Sequence, residues 1–231
     1  MIIASCQLAA FLYPLIPGDA MFEIFDYNLI GTMGALLDEA RKHGASYYPS
    51  GLKRDICNQL SEEISQQGAF KTLHSVEDTS VIEDMQIVKI PMAHPRFSMV
   101  TRVGMELAGL VNPFLGLRGI AEWAPNQAAA HRYHAGSQAL GAHRDFSSDE
   151  LLIAVLTLRG EGEFELLNDD GSVHTSWSCS AGGLCLMRAP GLTDAQDDRP
   201  LHRVAPPAQY FRESLIYRQI NWEREAARKT A

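Results

Sequence analysis

The segment Gly141-Ala142-His143-Arg144-Asp145 sets an imidazole and a carboxylate two residues apart. On an extended strand such a pair projects from one face with Arg144 pointing away, so both donors can reach one ion. A third donor, His202, stands in Leu201-His202-Arg203-Val204, a short apolar run that a folded sheet can bring alongside. Two imidazoles and a carboxylate on one side of an ion leave its opposite positions open, which a metal needs if it is to take up reactants. An H-x-D triplet alone also arises by chance, as a strand histidine beside a solvated aspartate. The segment after His202 tips the reading. Arg212 follows ten residues later inside Phe211-Arg212-Glu213-Ser214-Leu215-Ile216-Tyr217-Arg218, where a guanidinium among strand-type residues requires a buried or liganded partner. A dicarboxylate co-substrate is such a partner.

The elements that must position these residues change character along the chain. Residues 33–45 and 54–66 are rich in helix formers, and Ile56, Leu60 and Ile64 recur four apart on one face. Val100, Val103, Leu107 and Leu110 predict a third helix between Pro95 and Pro113, with Asn112-Pro113 as its stop. Residues 81–90 have strand composition. From residue 127 onward short β-type runs are separated by Gly, Asp, Asn and Pro: 127–134, 151–158, 162–167, 173–178, 183–188, 201–204 and 212–220. Asn168-Asp169-Asp170-Gly171 supplies turn chemistry for a hairpin. Helices followed by strands give an α+β fold, a double-stranded β-helix (jelly-roll) core with N-terminal supporting helices. The reading is one catalytic domain over 1–231. Residues 1–120 give mainly helical support and pocket elements, and 121–222 the core with the metal and co-substrate site.

Composition bounds the function. With 231 residues, 46% hydrophobic and 21% charged, the chain can close one sizeable core. A net charge of −8 offers no overall basic field for a phosphate backbone, which counts against a nucleic-acid partner. Cys6, Cys57, Cys179 and Cys185 form no C-x-x-C pair and read as buried small hydrophobes in a reducing cytoplasm. Residues 1–17 lack the basic start of a signal peptide and read as a strand or loop packed on the domain. No run reaches the roughly 20 apolar residues that span a bilayer.

The order H-x-D, distal His, then R-x-S ten residues on resembles the signature of the iron(II)- and 2-oxoglutarate-dependent dioxygenases. Here it is carried by His143, Asp145, His202, Arg212 and Ser214. Within that superfamily the pattern is most similar to AlkB-type enzymes, which place N-x-Y before H-x-D and end on R-x-N-L-T-F-R. This chain has His131-Arg132-Tyr133 and Arg212-Glu213-Ser214-Leu215-Ile216-Tyr217-Arg218. It departs in His131 and Ser214, each standing for an Asn, and in Ser147, where nucleic-acid demethylases carry a second acid. The resemblance implies Fe(II) held by His143, Asp145 and His202, with 2-oxoglutarate and O2 as co-substrates. Arg212 would pair with the distal carboxylate, helped by the Ser214 and Tyr133 hydroxyls. Arg218, on the same strand face by parity, would sit near the metal end of the co-substrate or the substrate. It implies hydroxylation, with release of succinate and CO2, of a small molecule or an amino-acid or peptide-like substrate.

Other readings stay open: an AlkB-like demethylase of nucleic acid or protein, a metal-dependent hydrolase using the same three ligands, and a jelly-roll binding module without catalysis. Arg144 and Phe146, beside the ligands, are candidates for the substrate rim. His131, His134 and Arg188 read as structural, and Trp123 and Trp177 as core. Residues 193–200 form an acidic, turn-rich loop that is a candidate cover for the site.

Overall fold

The computed structural model describes residues 23–75, 81–195, 199–205, 207 and 210–230. The expected N-terminal strand or loop at 1–17 and residue Cys6 lie outside them. Helix α1 (Tyr27–His43) begins where the Asp26 side chain accepts from Asn28 N at 2.8 Å, and Arg41, Lys42 and His43 complement the dipole of its last turn. It ends at Gly44, whose φ of +98° suits the helix terminus and whose absent Cβ would lie 2.9 Å from Pro200. Strand β1 (Ala45–Tyr48) leads to α2 (Arg54–Gln67), β2 (Lys71–Ser75), β3 (Glu83–Pro91) and α3 (Ser98–Gly116). The Glu63 carboxylate of α2 accepts from the backbone N–H of Met99 and Val100, so one helix caps the start of the next.

Two helix boundaries differ from the sequence reading. Helix α1 starts six residues before position 33, because Leu29, Met33, Leu36, Leu37 and Ala40 bury one continuous stripe that overrides the poor helix formers Gly31 and Thr32. Helix α3 runs through Pro113 to Gly116. Burial of Leu115 extends the last turn, while Asn112 is occupied elsewhere, bonded to the Trp123 backbone through both ends of its amide.

The strands are β4 (Gln127–His134), β5 (Ala139–His143), β6 (Asp149–Arg159), β7 (Glu161–Leu167), β8 (Val173–Ser180), β9 (Leu184–Arg188), β10 (His202–Val204) and β11 (Phe211–Ile220); α4 (Trp222–Thr230) follows. The turn predicted between β7 and β8 is present, with Gly171 at φ +82° and Asn168 bonded to Ser172. The sheet runs β1-β9-β6-β11-β4-β3-β5-β10-β7-β8, with β2 on the side of β3. Strand β3 is the fold line: residues Gln86–Pro91 pair with β4, whereas Glu83 and Asp84 pair with β5. The two halves therefore face each other, and Ile153, Met187 and Ile216 of one pack with Leu140, Phe164, Leu166 and Val204 of the other. This is the expected jelly roll.

Side-chain alternation divides the labour. On β11, Leu215 and Tyr217 face the helices, whereas Ile216 faces the interior of the roll. Ala128 and Ala130 of β4 and Leu152, Ala154 and Leu156 of β6 join the helix-side core with Val100, Val103 and Leu107 of α3. Trp123 is fully buried, its indole N–H donating to Leu152 O at 2.8 Å. No helix among the described residues is long and apolar enough to cross a membrane.

Helix α3 approaches β11 closely at Gly104: an added Cβ would lie 2.6 Å from the Tyr217 ring and 2.7 Å from Met92 Cε. Gly104→Ala is therefore expected to destabilise the protein by about 1–3 kcal/mol through overpacking, read by urea unfolding. Unchanged stability would show that α3 does not lie on the sheet in this way.

Candidate functional site

The register of two short strands builds the centre. In the antiparallel pairing of β5 and β10, His202 stands directly opposite His143, and their ring centroids are 4.2 Å apart. Each ring is oriented from behind: His143 Nδ1 is 2.8 Å from Gly141 O, and His202 Nδ1 is 3.1 Å from Pro200 O. A carbonyl can only accept, so Nδ1 donates in both rings, which leaves Nε2 as the nitrogen that can turn to a metal. Phe164 stacks on His202 with centroids 5.3 Å apart, and burial pushes that imidazole down to about 4, holding it neutral.

Asp145 lies beyond the end of β5, which stops at His143, so the expected placement of the whole triplet on one strand is corrected: the carboxylate arrives from the following turn. Two contacts hold it and a third closes the turn behind it. Its backbone carbonyl accepts from Arg199 Nη1 at 2.6 Å, Oδ1 accepts from Arg218 Nη2 at 2.8 Å, and Phe146 O accepts from Asp149 N at 3.1 Å to close the turn. The second oxygen, Oδ2, lies 3.5 Å from His202 Nε2. Burial opposes the charge of Asp145, yet the Arg218 guanidinium beside it holds its carboxyl below the usual range. One donor atom from each of His143, Asp145 and His202 lies within 4.8 Å of the others, a spacing that one cation could bridge.

Beside this cluster is a cavity of about 370 Å³, part of it open to solvent. His143, Asp145, His202, Tyr133, Arg212, Ser214 and Arg218 all line it, so the structure brings together the metal and co-substrate candidates read from the sequence. Arg212 and Tyr133 are cross-strand partners on β11 and β4, and Ser214 stands between His131 and Thr157. Arg212 is 2% exposed, donates Nη2 to Thr157 Oγ1 at 3.3 Å, and leaves Nε and Nη1 buried with no partner. Gly162 makes room for it, since an added Cβ would meet Arg212 Cδ at 3.1 Å. Two orphaned guanidinium N–H groups on the wall of a cavity are what a carboxylate fits. Apart from His131, the remaining wall, including Leu140, Val155, Phe164, Met187 and Val204, is apolar.

His131, read as structural, also lines the cavity, with Nδ1 3.1 Å from the Tyr133 hydroxyl. Its signal was parity with Tyr133, two residues along β4. Burial, reinforced by Arg218, pushes its imidazole down to about 3, while burial pushes the Tyr133 phenol up to about 12; both are neutral. Arg144 and Phe146 do not line the cavity. Arg144 pairs with Asp169 at 2.6 Å and donates to Arg199 O, and Phe146 lies under Arg228 with Cζ 4.2 Å from its ring centroid. Arg188 donates to Arg41 O at 2.6 Å, in keeping with a structural role. Of the 193–200 loop, 196–198 lie outside the described residues.

Asp149, 1% exposed, has two buried oxygens without hydrogen bonds; its nearest cation is Arg218, with Nη1 at 3.7 Å from Oδ2. Burial pushes its carboxyl up to about 6, against the partial relief of Arg218. A folded-state value above the unfolded one favours folding while the group is protonated, and the advantage disappears as pH rises through about 6. Asp149→Asn is expected to leave the metal-free protein's stability unchanged near pH 4 and to raise it at pH 8, by up to about 3 kcal/mol. Thermal unfolding at the two pH values checks this; equal effects at both would contradict it.

No protein-family model and no curated protein sequence matches this chain. Solved structures do. A Pseudomonas putida prolyl-4-hydroxylase superposes with a TM-score of 0.60 at 20% identity, covering 82% of this chain and 100% of that one. A Trichoplax adhaerens prolyl hydroxylase, in complex with a hypoxia inducible factor peptide fragment, gives 0.59 at 12% identity, covering 87% and 94%. A Burkholderia pseudomallei oxidoreductase of the 2OG-Fe(II) oxygenase family gives 0.56 at 14%, covering 80% and 89%. OsALKBH1 is also similar, at 0.55 and 15%, covering 76% and 96%, so the comparisons do not single out the AlkB type. The chain has the jelly-roll fold of the 2-oxoglutarate and iron(II) oxygenases.

Proposed function

We propose that the protein is a non-haem iron(II), 2-oxoglutarate-dependent dioxygenase that hydroxylates a peptide-like or small-molecule substrate. The observation that carries the proposal is Arg212, a buried guanidinium with two unpartnered N–H groups on the wall of the cavity beside a His, Asp, His cluster. Leaving such a group unpaired is costly in a folded core, and a dicarboxylate relieves the cost. A hydrolase using the same three ligands gives Arg212 no partner.

In this reading His143 and His202 hold the ion through Nε2 and Asp145 through Oδ2, with Oδ1 committed to Arg218. Arg212 takes the distal carboxylate of 2-oxoglutarate, and the Ser214 and Tyr133 hydroxyls, on the same wall, add hydrogen bonds. When bound, iron(II), 2-oxoglutarate and O2 supply the conversion of a C–H bond to C–OH, coupled to formation of succinate and CO2. Phe164, Met187 and Val204 keep that wall apolar, which strengthens each charge-assisted bond in the cavity. The peptide-like substrate follows the similarity to the two prolyl hydroxylases, one seen with a peptide. The net charge of −8 runs against a nucleic-acid substrate.

Purified protein with iron(II), ascorbate and 2-oxoglutarate in air is expected to form succinate, and His143→Ala and Arg212→Ala to lose at least about 100-fold of that turnover. Calorimetric titration of 2-oxoglutarate into anaerobic, metal-loaded protein is expected to show binding that Arg212→Ala weakens. No binding by the wild type would sink the oxygenase reading and favour the hydrolase.

A further inference from the structure

Arg218 is suspended between two carboxylates. Nη2 donates to Asp145 Oδ1 at 2.8 Å, while Nη1 lies 3.7 Å from Asp149 Oδ2, near enough for attraction and too far for a hydrogen bond. Neither Asp149 oxygen makes a close hydrogen bond, and nor does Arg218 Nε; besides Arg218 only a weak contact with the Phe146 backbone N–H supports the carboxylate. Asp149 is not among the residues lining the cavity, and its ion-pair contact with that wall is to Arg218. A buried carboxylate so weakly hydrogen-bonded weakens a fold, so stability does not explain its place.

Charge does. The ionic groups on the cavity wall are Asp145, Arg212 and Arg218, with Asp149 directly behind Arg218; Arg199 reaches the Asp145 backbone from the half-exposed loop, and the neighbouring Glu225 is paired with Arg228 at 2.9 Å. Two carboxylates offset two guanidinium groups, and a divalent cation offsets the dianion 2-oxoglutarate. These four groups balance with both ligands bound or with neither, provided Asp149 is counted. Without it, Arg218 has Asp145 as its sole carboxylate and competes for Oδ2, the oxygen that the cation needs.

We propose that Asp149 is a positioning residue for the metal centre: it draws Arg218 toward itself, so that Asp145 keeps Oδ2 for a divalent cation and the site stays charge-balanced. The inference rests on the proposed function. It has a signature that a scaffold role lacks. Removing the Asp149 charge weakens cation binding, whereas binding of the dianion to metal-loaded protein is undiminished, because the site has gained a net positive charge. Loss of scaffolding would weaken both.

The test uses the full chain, wild type and Asp149→Asn, with circular dichroism to check folding; Asp149→Ser, also uncharged, serves if the first variant does not fold. Mn²⁺ alone is titrated into each protein, then 2-oxoglutarate into each Mn²⁺-saturated protein, both by calorimetry. The expected result is Mn²⁺ affinity lower by about 10-fold or more, the usual size of an outer partner's effect on a metal site, with 2-oxoglutarate affinity equal or higher. Unchanged Mn²⁺ affinity, or a parallel loss for both ligands, overturns the role of Asp149 and leaves the proposed function standing. Absence of Mn²⁺ binding by the wild type overturns the metal centre, and the role of Asp149 with it.

Discussion

The structure depends on the register of β5 against β10, which sets His202 across from His143. Side chains alternate on a strand, so a slip of one residue would turn one imidazole to the outside of the roll. The register is pinned on the other edge of β10, where His202, Arg203 and Val204 pair with Leu166, Glu165 and Phe164 of β7. Arg203 also pairs with Glu165 on the outer face, while Phe164 stacks on the His202 ring inside. A three-residue strand thus takes its alignment from neighbours on both sides, and the donor pair inherits it.

Strand β11 solves a different problem, carrying two arginines into a core. Its inward residues Arg212, Ser214, Ile216 and Arg218 form one wall of the cavity. On the opposite face, fully buried Glu213 accepts from Ser61 of α2 at 2.5 Å and pairs with Arg132 of β4 at 3.1 Å. That pairing anchors the strand to the helical layer at the residue between Arg212 and Ser214. An ion pair buried with its hydrogen bonds contributes little net stability but penalises alternative alignments. The helices therefore do more than cover the sheet: through Glu213 they fix the position along β11 from which Arg212 faces the cavity.

Much of this was legible in the sequence because it followed from period and composition. The strands from residue 127 onward stand within a few residues of their predicted ends, since Gly, Asp and Asn turns bound the runs; β5, Ala139–His143, is the exception, a strand without a predicted run of its own. Parity puts Arg218 on the strand face of Arg212, whereas Ser214 and Tyr133 join them through the resemblance to the dioxygenase signature. What could not be read depended on contacts distant in sequence. Strand β1, Ala45–Tyr48, is four residues long and exists by pairing with β9. Strand β2, Lys71–Ser75, is a mostly exposed hairpin partner without an apolar pattern. Helix α4 was overlooked because its sequence is almost wholly polar, although Asn221 caps it, accepting from Arg224 N at 3.1 Å, and Glu223 and Glu225 suit its first turn.

Asp145 shows why a motif's spacing and its geometry are separate facts. H-x-D reads as two residues on one strand face, but the strand ends at the histidine, and the carboxylate's direction is set by groups outside the motif. Arg199 holds its backbone and Arg218 its outer oxygen. Helix α4 holds the turn that follows: Asn221 N donates to Ser148 O at 2.8 Å, Ser148 Oγ donates to Glu225 at 2.9 Å, and Arg228 lies over Phe146. Phe146 and Ser148 thus join the metal loop to the C-terminal helix. A carboxylate on a turn can be aimed by such contacts in a way that a strand residue, fixed by the pleat, cannot. The two histidines receive their positions from the sheet, whereas the aspartate receives its position from side chains that arrive from α4, β11 and the loop before β10.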